Sequence, residues 1–331
     1  MTEQSKIPIP RDSEALPRAE SLIERAAERF DFRRFVAPRP AVPEASRRAP
    51  RLRAAEAAAR SEQPATAVPR IVGRDVRAAG ERPPVFSGKR LPIDRQRLRE
   101  NGFIVPEGSV TALLEEFRIV KRQLLLRVGE LSREERAAKA RRVLITSPHP
   151  GEGKTYCAVN LALSIAAERD GDVLLVDADF AKPSVLSALG LPGGHGLMDA
   201  LMDENADVAD FVLGTDIPGL WVLPAGNTST NDSEYLASAR TERVFERLTQ
   251  NAPNRIVIFD SPPALAASPA AELAKYVGQV AVIVRADSTG QGALEDAVSL
   301  LSSCPNIELL LNAAQFSPSG RRFGSYYGYA E

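Results

Sequence analysis

The stretch Arg141–Ile165, RRVLITSPHPGEGKTYCAVNLALSI, decides the fold. Val143–Thr146 is a short apolar run that reads as a buried strand, and a Pro/Gly-rich loop follows it. Lys154 and Thr155 then open a helical stretch. In this arrangement the N–H groups of a Gly-rich loop and a helix N-terminus point at one anion. Lys154 reaches the β- and γ-phosphates of a nucleotide, and the Thr155 hydroxyl is placed to ligate Mg²⁺. The candidate nucleotide-binding run is therefore Pro150, Gly151, Glu152, Gly153, Lys154, Thr155 and Tyr156. One departure from G-x-x-x-x-G-K-[ST] is visible, because Pro148 stands where the first glycine belongs.

Outward from this loop, apolar β-branched runs alternate with helical patterns. Strands are expected at Val143–Thr146, Val173–Val176, Leu220–Leu223, Ile256–Phe259, Val280–Val284 and Ile307–Leu311. Helices are expected to begin near Lys154, Ser233, Ser268 and Gly290. Nearly all-apolar strands separated by helices predict an α/β fold: a doubly wound, mostly parallel sheet with helices on both faces, of the P-loop NTPase type. Upstream, Ser109 reads as the N-cap of a helix carrying Leu113, Leu114, Phe117, Val120 and Leu124.

Two further strand ends carry carboxylates. Asp177 and Asp179 follow the apolar run before FAKPSV, at the carboxyl end where ligands bind in open α/β sheets. Two such groups can hold Mg²⁺, and one can take a proton from an attacking hydroxyl. A turn-forming DxD is the plainer alternative. Asp260, ending RIVIFD, is placed to orient the metal through water. The metal set expected is Thr155, Asp179 and Asp260, and the catalytic set Lys154, Asp177, Asp179 and Asp260. Asn312, ending the last apolar run, is a candidate base contact or simply a turn residue.

Composition divides the chain. Residues 1–100 hold 12 of the 25 prolines and 22 Lys/Arg against 14 Asp/Glu. The totals of 42 and 43 leave 20 against 29 for residues 101–331, so a basic arm (+8) precedes an acidic body (−9). Residues 1–90 are expected to be a largely disordered Pro/Arg/Ala-rich arm with a short amphipathic helix near residues 20–30. The folded domain is expected over 91–318, with a flexible Tyr-rich tail at 319–331. Without aromatic interleaving, the basic arm gives no reason to expect nucleic acid as a partner. Cys157 and Cys304 lack CxxC spacing, and two histidines give no basis for expecting a histidine-based metal site. No apolar run has the ~18–20 residues a bilayer span needs, and the opening residues lack an apolar leader. A cytoplasmic location is the expectation.

The phrases TSPHPGEGKT, VLLVDADFAKPSV and IVIFDSPPA resemble the Walker A, A′ and B motifs of bacterial tyrosine kinases, P-loop proteins unrelated in fold to eukaryotic kinases. LEEFRIVKRQL is similar to that family's E-x-x-R-x-x-R helix of subunit contacts, which assigns Glu115, Arg118 and Lys121 to an oligomer interface, with Lys in place of the last Arg. SLIERAAERF, RLRENGFIVPEGS and GSYYGYAE are closest to the branch found with the exosortase (PEP-CTERM) exopolysaccharide system. The resemblance implies ATP and Mg²⁺, and autophosphorylation on Tyr326, Tyr327 and Tyr329. It also implies a homo-oligomeric ring, a membrane-embedded polysaccharide chain-length or activator protein as partner, and a tyrosine phosphatase. The chain would then sit at the inner face of the plasma membrane through that partner, serving exopolysaccharide synthesis and export. Two alternatives stay open: a nucleotide-dependent scaffold, and a partition-type ATPase switch. Against the switch, the position of its signature lysine is His149.

Overall fold

The structure is a computed structural model that describes Phe86 and residues 90–133, 137–227 and 231–314. The arm up to residue 85, its amphipathic segment and the tyrosines of the tail lie outside the described residues.

An eight-stranded sheet organises the described chain. Its strands are β1 (Arg90–Leu91), β2 (Arg142–Thr146), β3 (Asp172–Asp177), β4 (Leu213–Thr215), β5 (Leu220–Leu223), β6 (Arg255–Asp260), β7 (Gln279–Arg285) and β8 (Ile307–Asn312). Their order is β1-β4-β5-β3-β6-β2-β7-β8, parallel throughout except for the β4–β5 pair. All six expected strands are present, each within a residue or so of its expected bounds. β1 and β4 were not expected. Both are too short to show a period, and β4 includes Gly214; they exist because the neighbouring strand supplies their hydrogen-bond partners.

Strand parity builds two cores. Leu144, Leu174, Val176, Val257, Phe259, Val280 and Val282 face one layer, which contains α6 (Leu197–Met202), α7 (Asp232–Leu236), α8 (Ala239–Thr249), α9 (Pro269–Ala274) and α10 (Gln291–Leu300). Val143, Ile145, Val173, Leu175, Ile256, Ile258 and Ile283 face the other. That second layer holds α1 (Arg95–Glu100), α2 (Ala112–Leu131), α4 (Lys154–Ala166) and α5 (Val185–Leu189); a single turn, α3 (Ala137–Ala140), precedes β2. Strands covered on both faces have no polar side to alternate, which is why they read as continuous apolar runs.

Helix starts follow capping chemistry, with one correction. α2 begins not after Ser109 but at Thr111, whose hydroxyl accepts the Leu114 N–H at 3.2 Å. Both are good cap residues; Thr111 is the one with extended backbone next to the first helical turn. α9 starts after Ser268 with Pro269 in its first turn, and α10 after Gly290, as expected.

The segment ahead of α2 is laced onto the body. The Ile93 N–H donates to Asp216, Asp94 N–H to the Leu189 carbonyl, and Ile104 N–H to Asn160 Oδ1 at 2.8 Å. Leu98 is fully buried, as are Ile93 and Ile104 nearly so. At about 1.5–3 kcal/mol for each large aliphatic side chain removed from water, this strap is part of the fold rather than a linker.

Candidate active site

β2, β6 and β3 lie side by side and in the same direction, so their carboxyl ends share one rim of the sheet. From β2 the chain turns through residues 147–153 into α4. Two glycines make the turn possible: Gly151 at φ 82° and Gly153 at φ 97°, conformations that residues with a Cβ rarely adopt. At Gly153 a Cβ would in addition lie 2.2 Å from Asn312 Nδ2.

The loop is braced from the β7–β8 side. Glu152 is buried, and its carboxylate accepts the His149 N–H at 2.8 Å and the Thr289 hydroxyl. Arg285, at the end of β7, donates to the Gly151 carbonyl at 3.1 Å. Asn312, its pairing partner at the end of β8, donates through Nδ2 to the Glu152 carbonyl at 2.9 Å. Glu152 and Asn312 therefore hold the loop in shape. Tyr156 also turns away from the loop: its ring stacks on Phe103 with centroids 5.3 Å apart, and its hydroxyl donates to the Gly102 carbonyl at 2.8 Å. Its place is in the strap interface, since its position in the first turn of α4 points it toward that layer.

The remaining predicted residues converge. Lys154 Nζ lies 2.8 Å from Asp179 Oδ2, both largely enclosed. Thr155 donates to Asp260 Oδ2 at 2.6 Å, and the Ser184 hydroxyl is 3.0 Å from that of Thr155. Burial pushes the Asp260 carboxyl up to about 7, although the Lys154 charge and the Thr155 hydroxyl act the other way. Burial likewise pushes Asp177 up to about 6, against three backbone N–H groups.

Those three bonds define Asp177. Its Oδ2 accepts from Ser184 N at 2.9 Å and Val185 N at 3.0 Å, and its Oδ1 from Asp179 N at 3.3 Å. With 1% exposure, it shapes the turn that carries Asp179 and Ser184. Lys182 is exposed, and only its backbone N–H enters this network, donating to Asp179 at 3.0 Å.

Mg²⁺ fits this set of side chains. Asp260 Oδ1 is buried without a partner among the described residues, beside the Thr155 hydroxyl. Two carboxylates, Asp179 and Asp260, share one ammonium, Lys154, and so leave negative charge for a divalent cation to offset. No group of three or more His, Cys, Asp or Glu among the described residues forms a ready metal cage. Mg²⁺ ordinarily needs none, being held by one or two carboxylates together with substrate phosphates.

Comparison with known proteins gives this geometry a family. No family model matches the chain. The tyrosine-protein kinase YwqD of Bacillus subtilis is 30% identical over 218 residues, which are 65% of this chain and 85% of that protein. The chain belongs to the bacterial tyrosine-protein kinases. Longer relatives match over only part of their length: the tyrosine-protein kinase ptk of Acinetobacter johnsonii is 30% identical over 159 residues, 48% of this chain but 21% of the relative. This family member thus corresponds to roughly a fifth of that protein. Among solved structures, the BceF tyrosine kinase domain superposes with a TM-score of 0.50 at 27% identity, covering 59% of this chain and 76% of that one. The kinase domain of the Escherichia coli tyrosine kinase ETK superposes with a TM-score of 0.54 over 70% of this chain and 98% of that one; at 22% identity it speaks for the fold alone.

Within this kinase-family domain, the α2 residues expected at a subunit interface divide. Glu115 and Arg118 pair with each other on the helix surface. Lys121 points inward: it is buried, donates to the Ser164 carbonyl at 3.1 Å and pairs with Glu168 at 2.9 Å. Its partners, Ser164 on α4 and Glu168 just after it, account for it within a single copy. Ser184, Arg285 and Thr289 were not anticipated. Nothing local marks them, because each acts on a residue 29 to 137 positions away.

Proposed function

We propose that this chain is an ATP-dependent protein tyrosine kinase that phosphorylates Tyr326, Tyr327 and Tyr329 on a neighbouring copy. The observation that carries the reading is the meeting of Lys154, Thr155, Asp179 and Asp260 at one rim, beneath a loop shaped for phosphate. Lys154, now paired with Asp179, is the cation for the β- and γ-phosphates. Thr155 and Asp260, with Asp179 beside them, are the residues that would hold Mg²⁺. Bound there, Mg²⁺ would supply neutralisation of charge on the phosphates. Phosphoryl transfer depends chiefly on positioning and charge neutralisation. A phenol near pKa ~10 therefore serves as acceptor if it is held in line. Asp177 positions the turn that carries Asp179; as a proton acceptor it would need that turn to open.

Acceptors in a neighbour's tail imply a head-to-tail assembly, closed into a ring. Each phosphotyrosine adds about −1.5 to −2 charges. Added to an acidic body, this favours disassembly, and a tyrosine phosphatase would restore the cycle. Among the described residues no helix is long and apolar enough to cross a membrane. We place the kinase at the inner membrane face through a membrane-embedded activator of polysaccharide chain length, in control of exopolysaccharide export.

Mass spectrometry of the protein after incubation with Mg·ATP, with Lys154→Ala as control, tests the activity. Phosphate on the three tail tyrosines, absent in the control, is expected. ATP binding without any phosphotyrosine, even with the activator's cytoplasmic segment added, would leave a nucleotide-dependent scaffold instead.

A further inference from the structure

A second cluster of polar side chains stands on the same rim. β5 runs parallel to β3, with Leu223 opposite Val176, so the residues after β5 adjoin the turn that begins at Asp177. The loop before α6 is zipped to that segment: Leu197 N–H donates to the Pro224 carbonyl at 2.8 Å and Met198 N–H to the Ala225 carbonyl at 2.9 Å. Two glycines allow so close an approach. A Cβ at Gly196 would lie 2.0 Å from the Pro224 oxygen. One at Gly226, where φ is 85°, would lie 2.3 Å from Asp199 Oδ2.

Asp199 ties the two loops together, accepting from Gly196 N at 2.8 Å and Asn227 N at 3.1 Å. His195 Nδ1 lies 3.0 Å from Asp199 Oδ1, and its ring packs near Phe211 with centroids 5.8 Å apart. The clasp between the loops is complete without the histidine. His195 is nonetheless held by a carboxylate that is 14% exposed while its own side chain is 70% exposed. Asn227 Nδ2 also lies 3.4 Å from His195 Nδ1 but donates to Asp199 Oδ1; with the proton on Nδ1, facing the carboxylate, Nε2 is left as an acceptor for a hydroxyl.

The strand order gives this imidazole a place in the reaction. The phosphate loop follows β2, and Asp179, which marks the γ-phosphate end through Lys154, follows β3. β5 is the next strand beyond β3, on the side away from β2. On the kinase reading, with the phosphates running from the loop after β2 toward Asp179, in-line transfer brings the acceptor oxygen from the β5 side, opposite the leaving group, and the loop that carries His195 is hydrogen-bonded to the segment after β5. We infer that His195, oriented by Asp199 and flanked by Phe211, is a docking residue for the acceptor tyrosine of a second copy of this chain. The inference rests on the kinase reading proposed above.

The test uses the full chain carrying Tyr326→Phe, Tyr327→Phe and Tyr329→Phe as parent, with a fluorescent peptide of residues 319–331 as acceptor. Peptide binding is measured by anisotropy with Mg·ADP present, and peptide KM and kcat with Mg·ATP. His195→Ala is expected to weaken peptide binding and raise peptide KM about tenfold, about the loss of one hydrogen bond. The kcat should stay within about twofold and ADP affinity should not move; His195→Gln, which keeps a hydrogen-bonding side chain, should recover part of the loss. Equal peptide binding by parent and His195→Ala, or no binding by the parent, overturns the inference. His195-dependent binding with no phosphopeptide formed by the parent, even with the activator's cytoplasmic segment added, would uphold the docking residue and sink the kinase reading.

Discussion

Gly153→Ala probes the phosphate loop most directly, and its cost can be worked from two separate contributions. At φ 97° an L-residue is strained, by about 1–3 kcal/mol for conformations of this kind. The new methyl would also meet Asn312 Nδ2 at 2.2 Å. The Asn312 side chain can swing away, but doing so breaks its bond to the Glu152 carbonyl, worth about 1 kcal/mol. The total of about 2–4 kcal/mol corresponds to a fall in Tm of roughly 4–16 °C for a domain of this size. The two contributions separate in a double-mutant cycle followed by urea denaturation. Asn312→Ala alone should cost about 1 kcal/mol. In the Gly153→Ala background it should cost close to nothing, because the bond is already lost, while the backbone strain persists. Full additivity of the two substitutions, or a Gly153→Ala protein melting with the parent, would refute the claim that Gly153 and Asn312 form one joint.

Three further outcomes follow from the same geometry. Burial raises Asp260 from 3.8 to about 7, so the folded state holds that proton more tightly than the unfolded one, and the stability it contributes is lost as pH rises from about 4 to 7. In chelator-treated protein, Asp260→Asn should therefore gain on the parent across that window, and a pH-independent difference in urea midpoints would count against it. Asp199 behaves oppositely. Its burial would raise the carboxyl, but bonds from His195, Gly196 and Asn227 hold it down at about 2. Its stability is present above about 4 and lost as pH falls toward 2; the deficit of Asp199→Asn at neutral pH should close over that range, and a deficit that persists at pH 2 would contradict the assignment. Lys121→Met should cost about 1–2 kcal/mol through loss of the Ser164 and Glu168 partners, with no change in assembly size by light scattering. A changed assembly would return Lys121 to the subunit interface.

What could be read in advance depended on the range of the contacts involved. β2, β3, β6 and β7 are covered on both faces, so burial alone writes them as apolar runs, and Lys154, Thr155, Asp179 and Asp260 follow because each sits at or just past a strand end of fixed spacing. Asp177 was equally visible as a residue but not as a role, since the three N–H groups that enclose it come from a turn whose path no local pattern records. The same holds for the loop's braces. Glu152 is a neighbour of Lys154 in sequence, yet its function depends on Thr289, 137 residues away.

Those braces account for the one departure from the phosphate-loop pattern. A glycine at position 148 would be needed if the chain had to enter the loop through a left-handed residue, but only Gly151 and Gly153 adopt positive φ in this stretch. The entrance is instead held by the segment after β6: Ala264 N–H donates to the Ser147 carbonyl at 2.8 Å and Leu265 N–H to the Pro148 carbonyl at 3.3 Å. Proline gives up no donor that the loop uses there, and its fixed φ narrows the unfolded ensemble. The segment that supplies these bonds begins directly after Asp260, so the loop that shapes the phosphate site and the carboxylate beside Thr155 are fixed by a single turn. A substitution in residues 261–265 should therefore disturb the loop together with Thr155 and Asp260, which makes the SPP sequence after Asp260 part of the same structural unit. Thr146 and Ser261 fit this account, both donating to the Pro262 carbonyl, at 2.9 and 3.2 Å, from fully buried positions.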